Sequence, residues 1–252
     1  MIKDQFSRNL GIMSEAEVQQ LHDSTVAIAG CGCIGGFSAE LLARMGVGRL
    51  ILADPDVFDV SNINRQCAAT HLSVGLKKAE ALKSHLLAIN PELKIDCYLD
   101  GVTAENANAF LEGADYVIDA IDYFAFPESV ALHRAARPKN LFITTAVALG
   151  FGTSVMTFSP TGMKLEEYVG IPEDITIEAL KGHTFPPSGY SKSLPAYATE
   201  EKITEWILNE TIPTISVGQA LGPGVLVSKL VLHLLGRKQP DIVPEFFQLH
   251  LE

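Results

Sequence analysis

The residues Thr25-Val26-Ala27-Ile28-Ala29-Gly30-Cys31-Gly32-Cys33-Ile34-Gly35-Gly36 run from an apolar, β-branched segment into a glycine turn. An apolar-periodic run to Gly46 follows, and then Arg49-Leu50-Ile51-Leu52-Ala53-Asp54. Continuous apolar character over a few residues is the mark of a strand covered on both faces, and the stretch between has helical spacing. The stretch therefore predicts strand, turn, helix, strand, with an acid at the end. Gly30, Gly32 and Gly35 have the spacing G-x-G-x-x-G. The first permits a tight turn, the second lets backbone approach a phosphate, and the third lets helix and strand pack closely. A helix opening there points free N–H groups at an anion. Asp54 stands where a carboxylate holds ribose hydroxyls. A tight turn with no ligand is the alternative reading of the same residues.

Downstream, Pro55-Asp56-Val57-Phe58-Asp59-Val60-Ser61-Asn62-Ile63-Asn64-Arg65-Gln66 is polar and turn-rich. It leaves the end of a buried strand, the edge at which open α/β sheets bind ligands. Residues 75–89 read as a helix carrying Lys77, Lys78 and Lys83 and ended by Asn90-Pro91. Strands are expected over 93–99, 116–118 and 141–147, and helices from about 103 and over 129–136. The acids Asp115, Asp119 and Asp122 surround the strand at 116–118. Upstream, Ser14 with Glu17 predicts a capping box for a helix over 14–22, preceded by a short arm holding Arg8. This alternation implies an α/β fold with a mostly parallel sheet and helices on both faces. From Leu149 the pattern changes to a strand over 151–158, then an irregular, Pro/Gly-rich crossover over 164–200. Helices near 200–209 and 215–236 and an extended tail over 243–251 complete the chain.

The 252 residues carry 19 Lys plus Arg against 30 Asp plus Glu, a net charge of −11. So acidic a chain is disfavoured from non-specific association with nucleic acid or anionic membranes. No signal-peptide pattern opens the chain, and the longest apolar run, 217–235, is interrupted by Gly218, Gly222, Pro223 and Gly224. No membrane association and a cytoplasmic location are expected. The four cysteines Cys31, Cys33, Cys67 and Cys97 form no C-x-x-C pair, which argues against a structural zinc and fits a reducing compartment.

Taken together, the glycine turn, Asp54-Pro55-Asp56, Ser61-Asn62-Ile63-Asn64-Arg65-Gln66, the lysine opening a helix and Asp122 resemble the ThiF/MoeB/HesA superfamily. That superfamily includes ubiquitin-activating enzymes. The resemblance is colinear over about residues 5–158 and weaker near 214–236. It implies a Rossmann-like fold with an ATP-binding adenylation core and N-terminal arm in residues 1–158. Residues 159–252 would supply the crossover segment and the C-terminal part of the same domain. The implied chemistry is ATP- and Mg²⁺-dependent adenylation of a carboxylate. Gly30, Gly32 and Gly35 would cradle phosphate, Asp54 would hold the ribose, and Asn62 and Arg65 would contact the triphosphate, with Gln66 supporting them. Lys78, or its neighbour Lys77, would contact phosphate, and Asp122 would hold Mg²⁺. Asp56 reads either as a ligand or as a turn acid. Arg8 would reach the ATP of a neighbouring subunit, which implies a symmetric homodimer.

Three positions depart from the family pattern. Cys33 stands where a glycine is usual, Tyr123 where an asparagine is usual, and Pro127 near an expected arginine. No cysteine follows Cys97, so an activated acyl group has no cysteine of the chain's second half to move to. The leading expectation is an adenylyltransferase for the C-terminal carboxylate of a ubiquitin-like protein or peptide, embraced by residues 160–200. The alternatives are a dehydratase acting on threonylcarbamoyladenosine of tRNA, a catalytically inactive nucleotide-binding partner subunit, and an NAD(P)-dependent oxidoreductase. Residues 74–80 and 116–122 favour the dehydratase branch; the acidic charge and Ala146-Val147-Ala148 speak against it, and the charge speaks against nucleic acid as a partner. The Asn62–Gln66 loop speaks against the oxidoreductase.

Overall fold

A computed structural model describes residues 4–184, 189 and 191–252. Pro186 and Pro187 of the expected crossover lie outside the described residues. Seven strands form one sheet in the order β3-β2-β1-β4-β5-β6-β7. They are β1 (Thr25–Ala29), β2 (Arg49–Ala53), β3 (Lys94–Tyr98), β4 (Tyr116–Asp119), β5 (Ile143–Leu149), β6 (Gly152–Phe158) and β7 (Phe247–His250). The first five pair in parallel, and β6 and β7 pair antiparallel to their predecessors. The chain builds β1, β2 and β3 outward and then returns to lay β4 on the other side of β1. That reversal opens a crevice at the carboxyl ends of β1 and β4, where doubly wound sheets hold ligands.

Alternation along the strands divides the core into two layers. Val26, Ile28, Leu50, Leu52, Tyr116 and Ile118 face one cluster, with α1 (Glu15–Asp23), α2 (Cys33–Met45), α3 (Lys78–Ile89) and α8 (Ser216–Leu234). Ala27, Ala29, Ile51, Ala53, Val117 and Ile143 face the other, with α4 (Ala107–Phe110), α5 (Phe126–Ala136) and α6 (Leu165–Val169). The α/β reading with helices on both faces is therefore correct. α7 (Glu200–Leu208) is capped by Thr199 and buries none of its residues.

Several boundaries shift for local reasons. Both halves of the Ser14–Glu17 capping box form, with Ser14 N–H donating to Glu17 Oε2 at 2.8 Å. The helix expected from residue 75 begins only at Lys78, because Gly75 takes a positive φ and Lys77 caps the helix. α5 begins at Phe126, earlier than expected, since Pro127 suits the first turn of a helix. The irregular crossover contains α6 and a 3₁₀ turn, Glu178–Leu180, pinned by the buried Leu165 and Leu180. Among the described residues one helix, α8, is long and apolar enough to cross a membrane. Here it is a core helix packed on α2, β5 and β6. Its glycines serve close approach to the sheet: a Cβ on Gly218 would stand 2.1 Å from Gly150 O, and one on Gly222 2.8 Å from Thr153 Oγ1.

Candidate nucleotide site

The glycine turn is held by the protein's own backbone. Gly30 has a φ of +94°, and a Cβ there would lie 2.1 Å from Ala120 O, the residue that follows β4. At Gly35 a Cβ would lie 1.8 Å from Gly30 O. These two glycines are therefore required by the turn itself. Gly32 differs, for its nearest would-be neighbour is the Gln66 side-chain amide at 3.6 Å. No atom of the chain crowds a side chain at Gly32, so the space above it suits a group from outside. The amide of Gln66 borders that space, and among the described residues its buried Oε1 has no hydrogen-bond partner. A cradle open at Gly32 beside an orphaned amide oxygen fits a polar ligand.

Asp54 joins the turn to the end of β2. Its Oδ2 accepts from Cys31 N–H at 2.6 Å and its Oδ1 from Asp56 N–H at 2.9 Å. Burial pushes its carboxyl above the ordinary aspartate value, with the Cys31 N–H and the Lys78 charge opposing. Lys78 enters at the start of α3, its N–H donating to Asp56 O at 3.0 Å and its Nζ lying 2.8 Å from Asp56 Oδ2. The Lys78 side chain is 11% exposed and that of Asp56 is 61% exposed. Lys77 turns away to donate to Pro55 O. Of the two lysines, Lys78 is the one whose charge is felt at Asp54, Cys31 and Cys33.

The loop at residues 59–66 is built by its own polar side chains. Asn62 Oδ1 accepts from Asp59 N–H at 3.1 Å, and Asp59 Oδ1 accepts from Ser61 N–H at 2.8 Å. The N–H groups of Arg65 and Gln66 both donate to Asn62 O at 3.0 Å. Asn62 thus shapes the turn that presents Arg65. The half-buried Arg65 side chain donates to Ser61 O at 2.8 Å and to Asn64 Oδ1 at 2.9 Å. It also faces Cys33, whose thiol is raised by burial while Arg65 pulls it down. Cys67, the next residue after Gln66, is pushed by burial up to about 12.

Across the crevice, Asp122 follows β4. It is exposed, and its Oδ1 accepts from Phe124 N–H at 3.0 Å. A surface carboxylate of this kind fits the oxygen-seeking Mg²⁺. The strand end carrying it is braced by Asp119, a residue singled out in the sequence only as a flank. Asp119 Oδ1 accepts from Ile121 N–H at 3.2 Å, its Oδ2 accepts from Ser129, and His133 Nε2 stands 3.2 Å away. A second brace, Asn64 Nδ2 donating to Thr214 O at 3.1 Å, ties the loop to the entry of α8. The long sequence separation of that pair concealed it.

The structure gathers Gly30, Gly32, Gly35, Asp54, Asp56, Asn62, Arg65, Gln66, Lys78 and Asp122 at one edge of the sheet. Arg8 is elsewhere. Its 3₁₀ arm, Asp4–Asn9, packs at the opposite end of α2, with the Phe6 ring over Gly46, where an added Cβ would meet it at 3.4 Å, and Asn9 donating to Met45 O. The 13 residues of α2 separate that end from the glycine turn by about 20 Å.

A doubly wound α/β domain with a phosphate-type turn at its switch point defines a nucleotide-binding class of protein. The model of the ThiF family matches residues 6–251, and the chain belongs to that family. It is 42% identical over 123 residues to a tRNA threonylcarbamoyladenosine dehydratase of Bacillus subtilis, a match covering 48% of each chain. It is 33% identical over 142 residues to the sulfur carrier protein ThiS adenylyltransferase of Escherichia coli, covering 56% of each. These matches span about half the length of those curated relatives. The crystal structure of the E. coli dehydratase TcdA in complex with ATP shares the fold, with a TM-score of 0.69, 24% identity and coverage of 94% of this chain and 98% of that one.

Proposed function

We propose that the crevice binds Mg-ATP and adenylates a carboxylate, and that the carboxylate belongs to a threonylcarbamoyl group on a tRNA adenosine. One observation carries the chemistry: Lys78, Arg65 and Asp122 surround a turn whose middle glycine leaves open space. The name of the 42% identical relative supports the substrate. On sequence reasoning the C-terminus of a small protein ranked first and the modified tRNA second; the relatives reverse that order.

In the proposed reaction a carboxylate oxygen attacks the α-phosphorus of ATP. The new P–O bond forms as the bond to pyrophosphate breaks, giving an acyl-adenylate. Gly30 and Gly32 admit the phosphates to the backbone, and Asp54 holds the ribose. Lys78 leaves Asp56 for the phosphates. Asp56 is well exposed and stays hydrated when the pair opens, while the buried Lys78 exchanges one anionic partner for another. Arg65 releases two backbone and side-chain oxygens of its own loop for the same purpose. Preorganised cations at the developing charge are the main source of rate in such chemistry. Asp122 would hold Mg²⁺, which neutralises phosphate charge when bound. Arg8 would come from the second subunit of a homodimer, consistent with its distance from its own turn. Four free cysteines suit a reducing, cytoplasmic setting.

A second reading, adenylation of a protein or peptide C-terminus, is favoured by the net charge of −11 and by the ThiS adenylyltransferase relative. ATP–pyrophosphate exchange separates the two. Exchange is expected to depend on threonylcarbamoylated tRNA and not on a peptide ending in Gly-Gly. Arg65→Ala is expected to lower it by at least about 100-fold with Tm unchanged. Tight ATP binding without exchange on either carboxylate would overturn the proposal.

A further inference from the structure

Behind the loop that carries Arg65 and Gln66, three side chains from separate segments converge. Glu40 comes from α2, Cys67 from the residue after Gln66, and His85 from α3. Their ligand atoms all lie within 4.8 Å of one another, and His85 Nε2 is 2.9 Å from Glu40 Oε2. We propose that Glu40, Cys67 and His85 form a binding site for a zinc-class divalent ion, distinct from the nucleotide crevice.

The donor set argues for that class of ion. One sulfur, one imidazole nitrogen and one carboxylate oxygen suit Zn²⁺ and its spectroscopic substitute Co²⁺, whereas Mg²⁺ and Ca²⁺ take oxygen ligands. Three protein ligands leave a fourth tetrahedral position for water. Bond lengths of zinc to these donors place neighbouring ligand atoms about 3.4–3.6 Å apart. The imidazole and carboxylate need to part by about 0.5 Å, and the sulfur to close by no more than about 1.3 Å. Side chains here can make that change, since those of Glu40 and His85 are 20% and 36% exposed. Arg44 grips the other carboxylate oxygen, Glu40 Oε1, through Nε at 2.8 Å, which leaves Oε2 turned to the site. Such an outer partner fixes a ligand's orientation. Binding converts the Cys67 thiol to a thiolate and releases its proton to solvent.

An ion here would fasten the arginine-bearing loop to both α2 and α3. Cys67 is joined directly to Gln66, and its sulfur packs over Gly36, one turn into α2, where an added Cβ would meet it at 3.2 Å. Occupancy is therefore expected to lower the KM for ATP, while the binding itself needs no nucleotide.

The test is titration of the chelator-treated full chain with Co²⁺ and then Zn²⁺, without ATP. One Co²⁺ per chain should bind, with a thiolate-to-cobalt band in the near ultraviolet that Zn²⁺ bleaches. Cys67→Ser should abolish that band and His85→Gln should weaken Co²⁺ binding at least about 10-fold. Cys97→Ser, a cysteine facing Ala79 O, should leave the band intact. Zn²⁺ at about 100 times its dissociation constant should raise Tm by about 5 °C or more. Should Cys67→Ser fail to fold, the His85→Gln titration and the Zn²⁺-dependent Tm still decide. Absence of the band, its survival in Cys67→Ser, or unchanged affinity in His85→Gln would overturn the site and leave the adenylation proposal untouched.

Discussion

Two glycines of one motif answer to different demands. Gly35 has no room for a methyl group because Gly30 O would lie 1.8 Å from it, whereas at Gly32 the nearest atom would be 3.6 Å away. Gly35→Ala is therefore expected to destabilise the chain by about 2 kcal/mol or more, seen as a lower Tm. Gly32→Ala is expected to keep Tm within about 2–3 °C and to raise the KM for ATP at least about 10-fold. A fall in Tm at Gly32→Ala as large as at Gly35→Ala would remove the argument that its space belongs to a ligand. The spacing of the glycines was legible in the sequence, but this difference between them was not. It depends on which backbone oxygens come back to the turn: Gly30 O meets Gly35 from within the turn, and Ala120 O meets Gly30 from 90 residues away. Asn62 shows the same limit. Its motif position was plain, but its side-chain oxygen is engaged in capping its own loop at Asp59. A motif identifies such a residue without saying which of its atoms the loop already uses.

At the scale of elements, periodicity found the buried strands because each lies between two helical layers. It also found the helix expected near 215–236, although glycine and proline interrupt that apolar run. Gly218, Gly222 and Pro223 lie inside one 19-residue helix, and close contact with Gly150 and Thr153 explains the two glycines. The far end of that helix carries a pH dependence. His233 lies against Phe142 and Tyr116, with ring centroids 4.3 and 5.6 Å away. Burial lowers its pKa below the ordinary value of 6.5, opposed by a hydrogen bond with Gln239. The unfolded chain therefore binds this proton more readily than the folded one, and the stability is lost as pH falls through the unfolded value. Between about pH 7 and pH 5.5 Tm should fall, and less steeply in His233→Gln than in the parent. Equal slopes in the two proteins would show that the ring titrates as freely folded as unfolded.

For the whole molecule, the arm and the crevice stand at opposite ends of α2, so Arg8 can serve a site only through a second copy. Chains carrying Arg8→Ala and chains carrying Lys78→Ala should each be inactive alone. Mixed and allowed to reassort, they should recover about one quarter of the parent activity if the proposed homodimer forms, because half its pairs would be mixed and each would restore one site. No recovery would confine the reaction to a single chain. The acidic surface, legible from composition alone, belongs to this scale as well. It speaks against tRNA while the relatives speak for it, and only substrate chemistry separates them.

The central claim is that a carboxylate attacks ATP in this crevice. Its most direct measurement starts from threonylcarbamoylated tRNA whose threonyl carboxylate carries heavy oxygen, incubated with the protein, Mg²⁺ and ATP, with the released AMP weighed by mass spectrometry. Adenylation followed by departure of AMP predicts one heavy oxygen in AMP, and none with Arg65→Ala. AMP without the label, or ADP as the product in place of AMP, would contradict the account.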